Sequence, residues 1–194
     1  MAAVQYKLTR RMIEGVGPLR LNLGCGEYPL QGFINVDAVG SLGVDVVLTV
    51  PPLPWPDECI SEIWMCHFLE HLDRPAATHL LSECHRVMEP DATLGVVVPD
   101  FWEMTRRYIN NEAAPFEWPA GQFHDLRDLD ALNHFLLYST CQPSHHQWMY
   151  DRHTLAFALR QAGFEVGDDI DRYKDPRLGT GQWYQFGLEA RKVR

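Results

Sequence analysis

No stretch of this sequence stays apolar for the roughly 20 residues that a membrane-spanning helix needs, and Met1–Arg11 lacks the apolar centre of a secretory leader. These absences predict a cytoplasmic protein with no membrane partner. Cysteine is sparse and poorly arranged for cross-linking. Cys25, Cys59, Cys66, Cys84 and Cys141 are odd in number and contain no Cys-x-x-Cys pair, which argues against a disulfide framework and against a thiolate zinc site. Basic residues are also short: 17 Lys and Arg face 26 Asp and Glu, and the resulting formal charge of −9 repels phosphate backbones. Nucleic acid is therefore not expected as a partner. The one basic cluster, Lys7, Arg10 and Arg11, reads as the solvated face of an N-terminal helix. Internal repeats and low-complexity tracts are absent as well.

What is present is an ordinary globular composition, 46% hydrophobic and 22% charged, over 194 residues, enough to bury one sizeable core. The expectation is a single domain over 1–194, with 101–148 as an insertion. Short apolar runs at Leu19–Leu23, Phe33–Val36, Val44–Val47, Ile60–Cys66 and Leu94–Val98 read as strands, the last buried on both faces. Pro75–Met88 carries apolar residues at helical spacing, with proline in the first turn and Pro90 just beyond the end. Asp151–Ala162 repeats that pattern and is followed by Gly163 as a cap. Phe164–Val166 and Trp183–Ala190 complete the strands, the latter expected at the sheet edge. Strands alternating with helices predict an α/β fold, a doubly wound, mostly parallel sheet with helices on both faces. Residues 101–148 break the alternation and are rich in Trp, Tyr, Phe and His. They read either as a lid over the site or as a plain aromatic mini-core.

In a doubly wound sheet, ligands bind outside the carboxyl ends of the strands. Asp37, His67 and Asp100 each follow such an end, so they are expected to line one crevice. Gly24-Cys25-Gly26 follows the first strand, where glycines permit a sharp bend and close approach of a ligand. Asp37 could accept hydrogen bonds from both hydroxyls of a ribose. An ordinary tight turn and a turn-forming aspartate are the simpler alternatives for each alone.

Taken together, Leu23-Gly24-Cys25-Gly26, Val36-Asp37, Leu53-Pro54-Trp55-Pro56-Asp57, His67-Phe68-Leu69-Glu70-His71-Leu72, Glu83 to Pro90 and Gln161-Ala162-Gly163-Phe164-Glu165-Val166 resemble, in order and spacing, the class I S-adenosylmethionine-dependent methyltransferases. The resemblance implies a Rossmann-like fold, S-adenosylmethionine as cofactor and S-adenosylhomocysteine as product. It implies that Gly24, Cys25 and Gly26 meet the methionyl part, that Asp37 holds the ribose, that Thr49 and Val50 flank the adenine, and that Cys66 and His67 close the pocket. Two departures stand out. Only Glu27–Gln31 separates Gly26 from Gly32, too short for the usual helix, so a shortened connection is expected. Thr49 stands where many relatives carry an acid, which leaves the adenine to backbone groups and to apolar packing by Leu53 or Trp55.

Methyl transfer from a sulfonium is an in-line displacement that asks mainly for positioning, and a base helps where the acceptor carries a proton. His67, Asp100, His145 and His146 are the candidates. His145 and His146 are neighbours, so in an extended segment their side chains point oppositely and one of them faces the site. The acceptor is not legible, although acidic charge and an aromatic insertion favour a small molecule. Two rivals remain at this point: a non-catalytic binder of the same cofactor, and a zinc metallohydrolase using His67, Glu70 and His71 in an H-x-x-E-H pattern. The second requires both imidazoles on one helix face, whereas His67 follows an apolar strand, so no metal ligand is assigned.

Overall fold

The computed structural model describes residues 18–112, 115–117, 123–125, 129, 132, 133, 136, 145–169 and 183–193. The expected N-terminal helix with Lys7, Arg10 and Arg11, and with it part of the expected cover of the two sheet faces, lies outside the described residues. So does Cys141.

The apolar runs form strands of one sheet, with Ile60–Cys66 and Met88–Pro99 the most deeply buried. Leu19–Leu23 (β1), Ile34–Asp37 (β2), Val46–Val47 (β3), Ile60–Cys66 (β4) and Met88–Pro99 (β5) are joined by parallel pairing in the order β3-β2-β1-β4-β5. β5 is buried without a break from Leu94 to Pro99, as expected of a central parallel strand. Trp64 of β4 lies across from Gly95, its register partner in β5, and a Cβ at Gly95 would come within 2.2 Å of the indole ring. The chain runs outward from β1 to β3 and then returns to β4 beside β1. The switch in strand order therefore falls between β1 and β4, where such sheets open a crevice.

Arg74–Val87 forms helix α1. Asp73 caps it by accepting the Ala76 amide at 2.8 Å, Pro75 occupies the first turn, and Ala77, Leu80, Leu81, Cys84 and Val87 face the core. Arg152–Gln161, named α3 because a further helix precedes it, is closed at its start by a reciprocal Asp151–Thr154 capping box and at its end by Gly163 at φ +94°.

Two expectations are corrected. Gln185–Lys192 (β9) does not close the sheet at its edge. It lies between β5 and Phe164–Asp169 (β8), antiparallel to both, with Phe186, Leu188 and Ala190 buried, and β8 takes the edge. The region after β5 does not begin irregularly either. Phe101–Ile109 is a helix, α2, with Asp100 accepting the Glu103 amide at 3.0 Å and Glu103 paired to Arg106 and Arg107 at 2.9 and 2.6 Å. Phe101, Met104 and Tyr108 recur on it at helical spacing, and only Met104 is fully buried. Met104 and Leu132 form a small second core, with Tyr108, Leu136, Met149, Trp183 and Tyr184 packed against them. Pro115–Glu117 (β6) and Phe123–Asp125 (β7) make a separate antiparallel pair. The side chains of Trp118, His124, Phe135 and Tyr138, which the lid reading invoked, lie outside the described residues.

Side-chain clamps replace regular structure in two connections. Between β1 and β2 there is no helix. Buried Asn22 donates to Asn35 Oδ1 at 2.9 Å, and Asn35 exchanges hydrogen bonds with the Leu30 backbone at 2.7 and 3.2 Å, so the short loop is held from beneath. Between β3 and β4, Glu83 and Arg86 of α1 anchor the proline-rich turn. Glu83 accepts the Leu53 amide at 2.9 Å, and Arg86 reaches the Leu53 and Trp55 carbonyls and the Asp57 carboxylate at 2.9, 3.0 and 2.7 Å.

The guanidinium of Arg86 holds the Glu83 carboxyl down to about 2 from its ordinary 4.5, with burial opposing and the Leu53 amide assisting. A carboxylate depressed by folding stabilises fully above its unfolded value, and that stability is lost as pH falls through the folded one. The chain is expected to lose stability as pH drops from about 4.5 toward about 2. Glu83→Gln should lose less across the same window. Urea midpoints followed with pH check this, and superimposable profiles for the two proteins would refute the clamp.

Candidate functional site

β1 hands over to the turn Gly24-Cys25-Gly26, whose two glycines adopt φ +69° and +53°, a left-handed conformation that other residues adopt only at a cost. The Gly24 and Cys25 amides both donate to the Val36 carbonyl, at 2.8 and 3.1 Å, which hangs the turn on β2. Asp37, the last residue of β2, accepts the Gly26 amide on Oδ2 at 2.8 Å and the Val39 amide on Oδ1 at 2.9 Å. The glycine bend and the aspartate thus stand together at the carboxyl ends of adjacent strands.

The two glycines serve different ends. A Cβ on Gly24 would fall 2.3 Å from the ring of Phe68, so the space it vacates is filled by protein rather than left for a ligand. A Cβ on Gly26 would meet nothing within 4 Å, so this glycine borders open space beside the Asp37 carboxylate. Phe68 belongs to the segment after β4, and its contact with Gly24 ties that segment to the glycine turn.

The remaining residues expected near a cofactor are placed less uniformly. Thr49 is exposed and Val50 buried, and the Leu48 amide bonded to the Asp37 carbonyl at 2.8 Å keeps their segment near Asp37. The side chains of Cys25 and Cys66 are fully buried, which leaves their backbones as the groups able to face a ligand. Leu53 and Trp55 are buried in the main core, and the α1 clamp holds their backbone.

His67 follows β4 in a left-handed conformation, φ +49°, with its amide on the Val97 carbonyl at 2.9 Å. Its Nε2 lies 2.9 Å from Gln185 Oε1, and its Nδ1 lies 3.3 Å from Glu70 Oε1. Glu70 sits on a single 3-10 turn, Leu69–His71, and is fully buried, yet among the described residues neither carboxylate oxygen has a hydrogen-bonding partner of good geometry. Burial by itself would raise its pKa, but the imidazoles of His67, His71 and His146 together hold it below the usual carboxylate value. His146 reaches this turn from the far side. The Glu70 carbonyl accepts the Gln147 and Trp148 amides at 2.7 and 3.1 Å, and the His146 ring stands edge-on to His71 with centroids 4.9 Å apart. Burial pushes the His146 pKa down, against the pull of Glu70. Of the two adjacent histidines, His146 therefore faces the interior cluster while His145 is exposed. Asp100 stands apart from them: its carboxylate caps α2, and burial raises its pKa.

This geometry corrects the metallohydrolase alternative. β4 ends at Cys66, His67 is left-handed, and the helical turn spans three residues, so His67 and His71 do not share a helix face. Sequence reading missed Phe68 as the partner of Gly24 and missed the burial of Glu70. The only available signal for Glu70 was its place between two histidines, since a glutamate is ordinarily read as solvent-facing.

Gly24→Ala is expected to lower stability by about 2–4 kcal/mol, combining the left-handed backbone cost with overpacking against Phe68. In a Phe68→Ala background the loss should shrink toward the backbone component alone, a coupling readable in a double-mutant cycle by urea denaturation. Additive losses would separate the ring from the glycine.

No family model matches the chain, and no curated protein matches it in sequence. Solved structures do match. A methyltransferase of Thermotoga maritima superimposes with a TM-score of 0.58 at 19% identity, covering 91% of this chain and 83% of its own. The Burkholderia thailandensis 1,6-didemethyltoxoflavin-N1-methyltransferase, solved with that compound and S-adenosylhomocysteine, matches with 0.54 at 18%, covering 91% and 72%. A methyltransferase of Methanosarcina mazei gives 0.54 at 18%, covering 90% and 92%. The likeness is one of fold, and it agrees with the strand order and the antiparallel β9 described above: the chain has the fold of the class I S-adenosylmethionine-dependent methyltransferases.

Proposed function

We propose that this chain is an S-adenosylmethionine-dependent methyltransferase acting on a small-molecule acceptor. The observation that carries the reading is the pairing of the Asp37 carboxylate with the Gly26 amide at 2.8 Å, beside a glycine whose missing side chain opens on free space. The arrangement suits a nucleoside cofactor, because a carboxylate at the end of β2 can accept from vicinal hydroxyls while the bare glycine lets a ligand approach the backbone. Gly24, Cys25 and Gly26 would meet the methionyl portion, Asp37 the ribose, Thr49 and Val50 the adenine edge, and Cys66 and His67 the inner wall. The cofactor would supply the electrophilic methyl group. The chain's own part is to orient donor and acceptor and to exclude water.

Among the groups able to take an acceptor proton, His67, Asp100, His145 and His146, His67 is the nearest in the chain to Phe68, whose ring covers Gly24. Residues 101–148 are read as the cover of the acceptor side, reaching the site through His146 and Trp148. A small molecule suits the net charge of −9, which disfavours polyanions, and the Burkholderia thailandensis neighbour binds one.

S-adenosylhomocysteine is expected to raise the melting temperature of the chain, since a ligand at 100 times its dissociation constant adds about 2.7 kcal/mol. Asp37→Asn should cut that affinity about tenfold or more, the worth of a hydrogen bond to a charged group. The ligand-dependent increment reads this, because Asp37 also supports the apo fold. No thermal response to S-adenosylhomocysteine would sink the reading. Release of S-adenosylhomocysteine from S-adenosylmethionine with a panel of small acceptors separates an enzyme from a mere binder.

A further inference from the structure

We propose that Glu70, His71 and His146 form a binding site for a divalent first-row transition-metal ion, of the zinc or cobalt class. One candidate ligand atom from each of the three residues lies within 4.8 Å of the others. Ligands at about 2.1 Å from a tetrahedral ion stand about 3.4 Å apart, so side-chain rotations of at most about 1.4 Å close the set. Two imidazoles and one carboxylate are a donor set suited to such ions and not to magnesium or calcium, which prefer all-oxygen shells.

An independent observation points the same way. Glu70 is 0% exposed, and among the described residues neither of its buried carboxylate oxygens has a hydrogen-bonding partner of good geometry, although His67 Nδ1 lies 3.3 Å from Oε1. A buried anion in that condition is costly, and a cation held between it and the two imidazoles removes the cost. The surroundings resemble a metal centre's outer layer. His146 Nδ1 lies 3.2 Å from the Leu136 carbonyl, an oxygen that can only accept, so Nδ1 carries the proton and Nε2 keeps the lone pair a metal requires. His67 Nδ1, 3.3 Å from Glu70 Oε1, steadies the carboxylate from outside the ligand set. Backbone hydrogen bonds from Gln147 and Trp148 to the Glu70 carbonyl bring the distant His146 segment to the turn that carries the other two ligands. Three protein ligands leave coordination positions for water or a substrate oxygen. The site differs from a helix-borne H-x-x-E-H pair, since His67 is not a ligand and His146 comes from 75 residues beyond His71 in the chain. It does not rest on the methyltransferase reading.

The test uses the full chain, stripped with a chelator, dialysed and titrated with cobalt(II) and then zinc. One equivalent of cobalt should bind with visible d–d absorption, and zinc should displace it. Glu70→Gln, His71→Ala and His146→Ala should each weaken binding by at least tenfold, while His153→Ala, on an exposed turn of α3, should not. The imidazole nitrogen resonances of His71 and His146 in the unmutated chain provide a second readout that needs no variant, and both should shift on adding zinc. Absence of stoichiometric binding, shifts confined to other histidines, or undiminished affinity in the three variants would overturn the site. The thermal response to S-adenosylhomocysteine, recorded on the same samples, keeps the two readings separable: its loss with metal binding intact sinks only the methyltransferase, and the reverse sinks only the metal site.

Discussion

The carboxylate of Asp37 takes the Gly26 amide on one oxygen and the Val39 amide on the other, and so joins the ends of β1 and β2 where the sheet opens. Two backbone amides at this end are satisfied by one side chain. With the usual helix between these strands missing, the glycine turn is held by this carboxylate and by the Gly24 and Cys25 amides on the Val36 carbonyl. The buried Asn22–Asn35 pair supports the same connection from below. At Gly26 these side chains stand in for a missing element of secondary structure.

Two glutamates, Glu83 half-buried and Glu70 fully buried, show how differently one residue type can be used. Glu83 is surrounded by donors, the Leu53 amide and the Arg86 guanidinium, and turns an irregular proline-rich segment into a fixed wall of the core. Glu70 has imidazoles near it but no well-directed donor, on a three-residue turn at the carboxyl end of a central strand. The first arrangement is complete within the chain. The second is electrostatically balanced yet geometrically open, which is the usual condition of a place where a further charged group belongs.

Much of the frame was legible because it rests on periodicity and caps. Pro75, Pro90 and the helical spacing of the apolar residues announced α1 to within one residue at each end, and Gly163 closed α3 as its type suggests. The position of β9 was not legible, since an apolar strand near the end of a chain looks the same whether it pairs on one side or two. α2 was missed although Phe101, Met104 and Tyr108 recur at helical spacing, because its nine residues read as the start of an irregular aromatic insertion. At the site, the Gly-Cys-Gly bend and Asp37 could be read and are adjacent in space. The division of labour between the glycines could not, because the ring that fills the space at Gly24 comes from a residue 44 positions away. The approach of His146 to His71 is hidden for the same reason: it is a tertiary event with no local trace.

Trp64 lying across Gly95 has a consequence for how the sheet assembles. A parallel strand that slides by one position presents its opposite face to its neighbour, and here a slip would drive the indole onto Leu94 or Val96 instead of the bare backbone between them. The central pair of strands therefore carries its own alignment key: one bulky tooth and one notch, which fit in a single way.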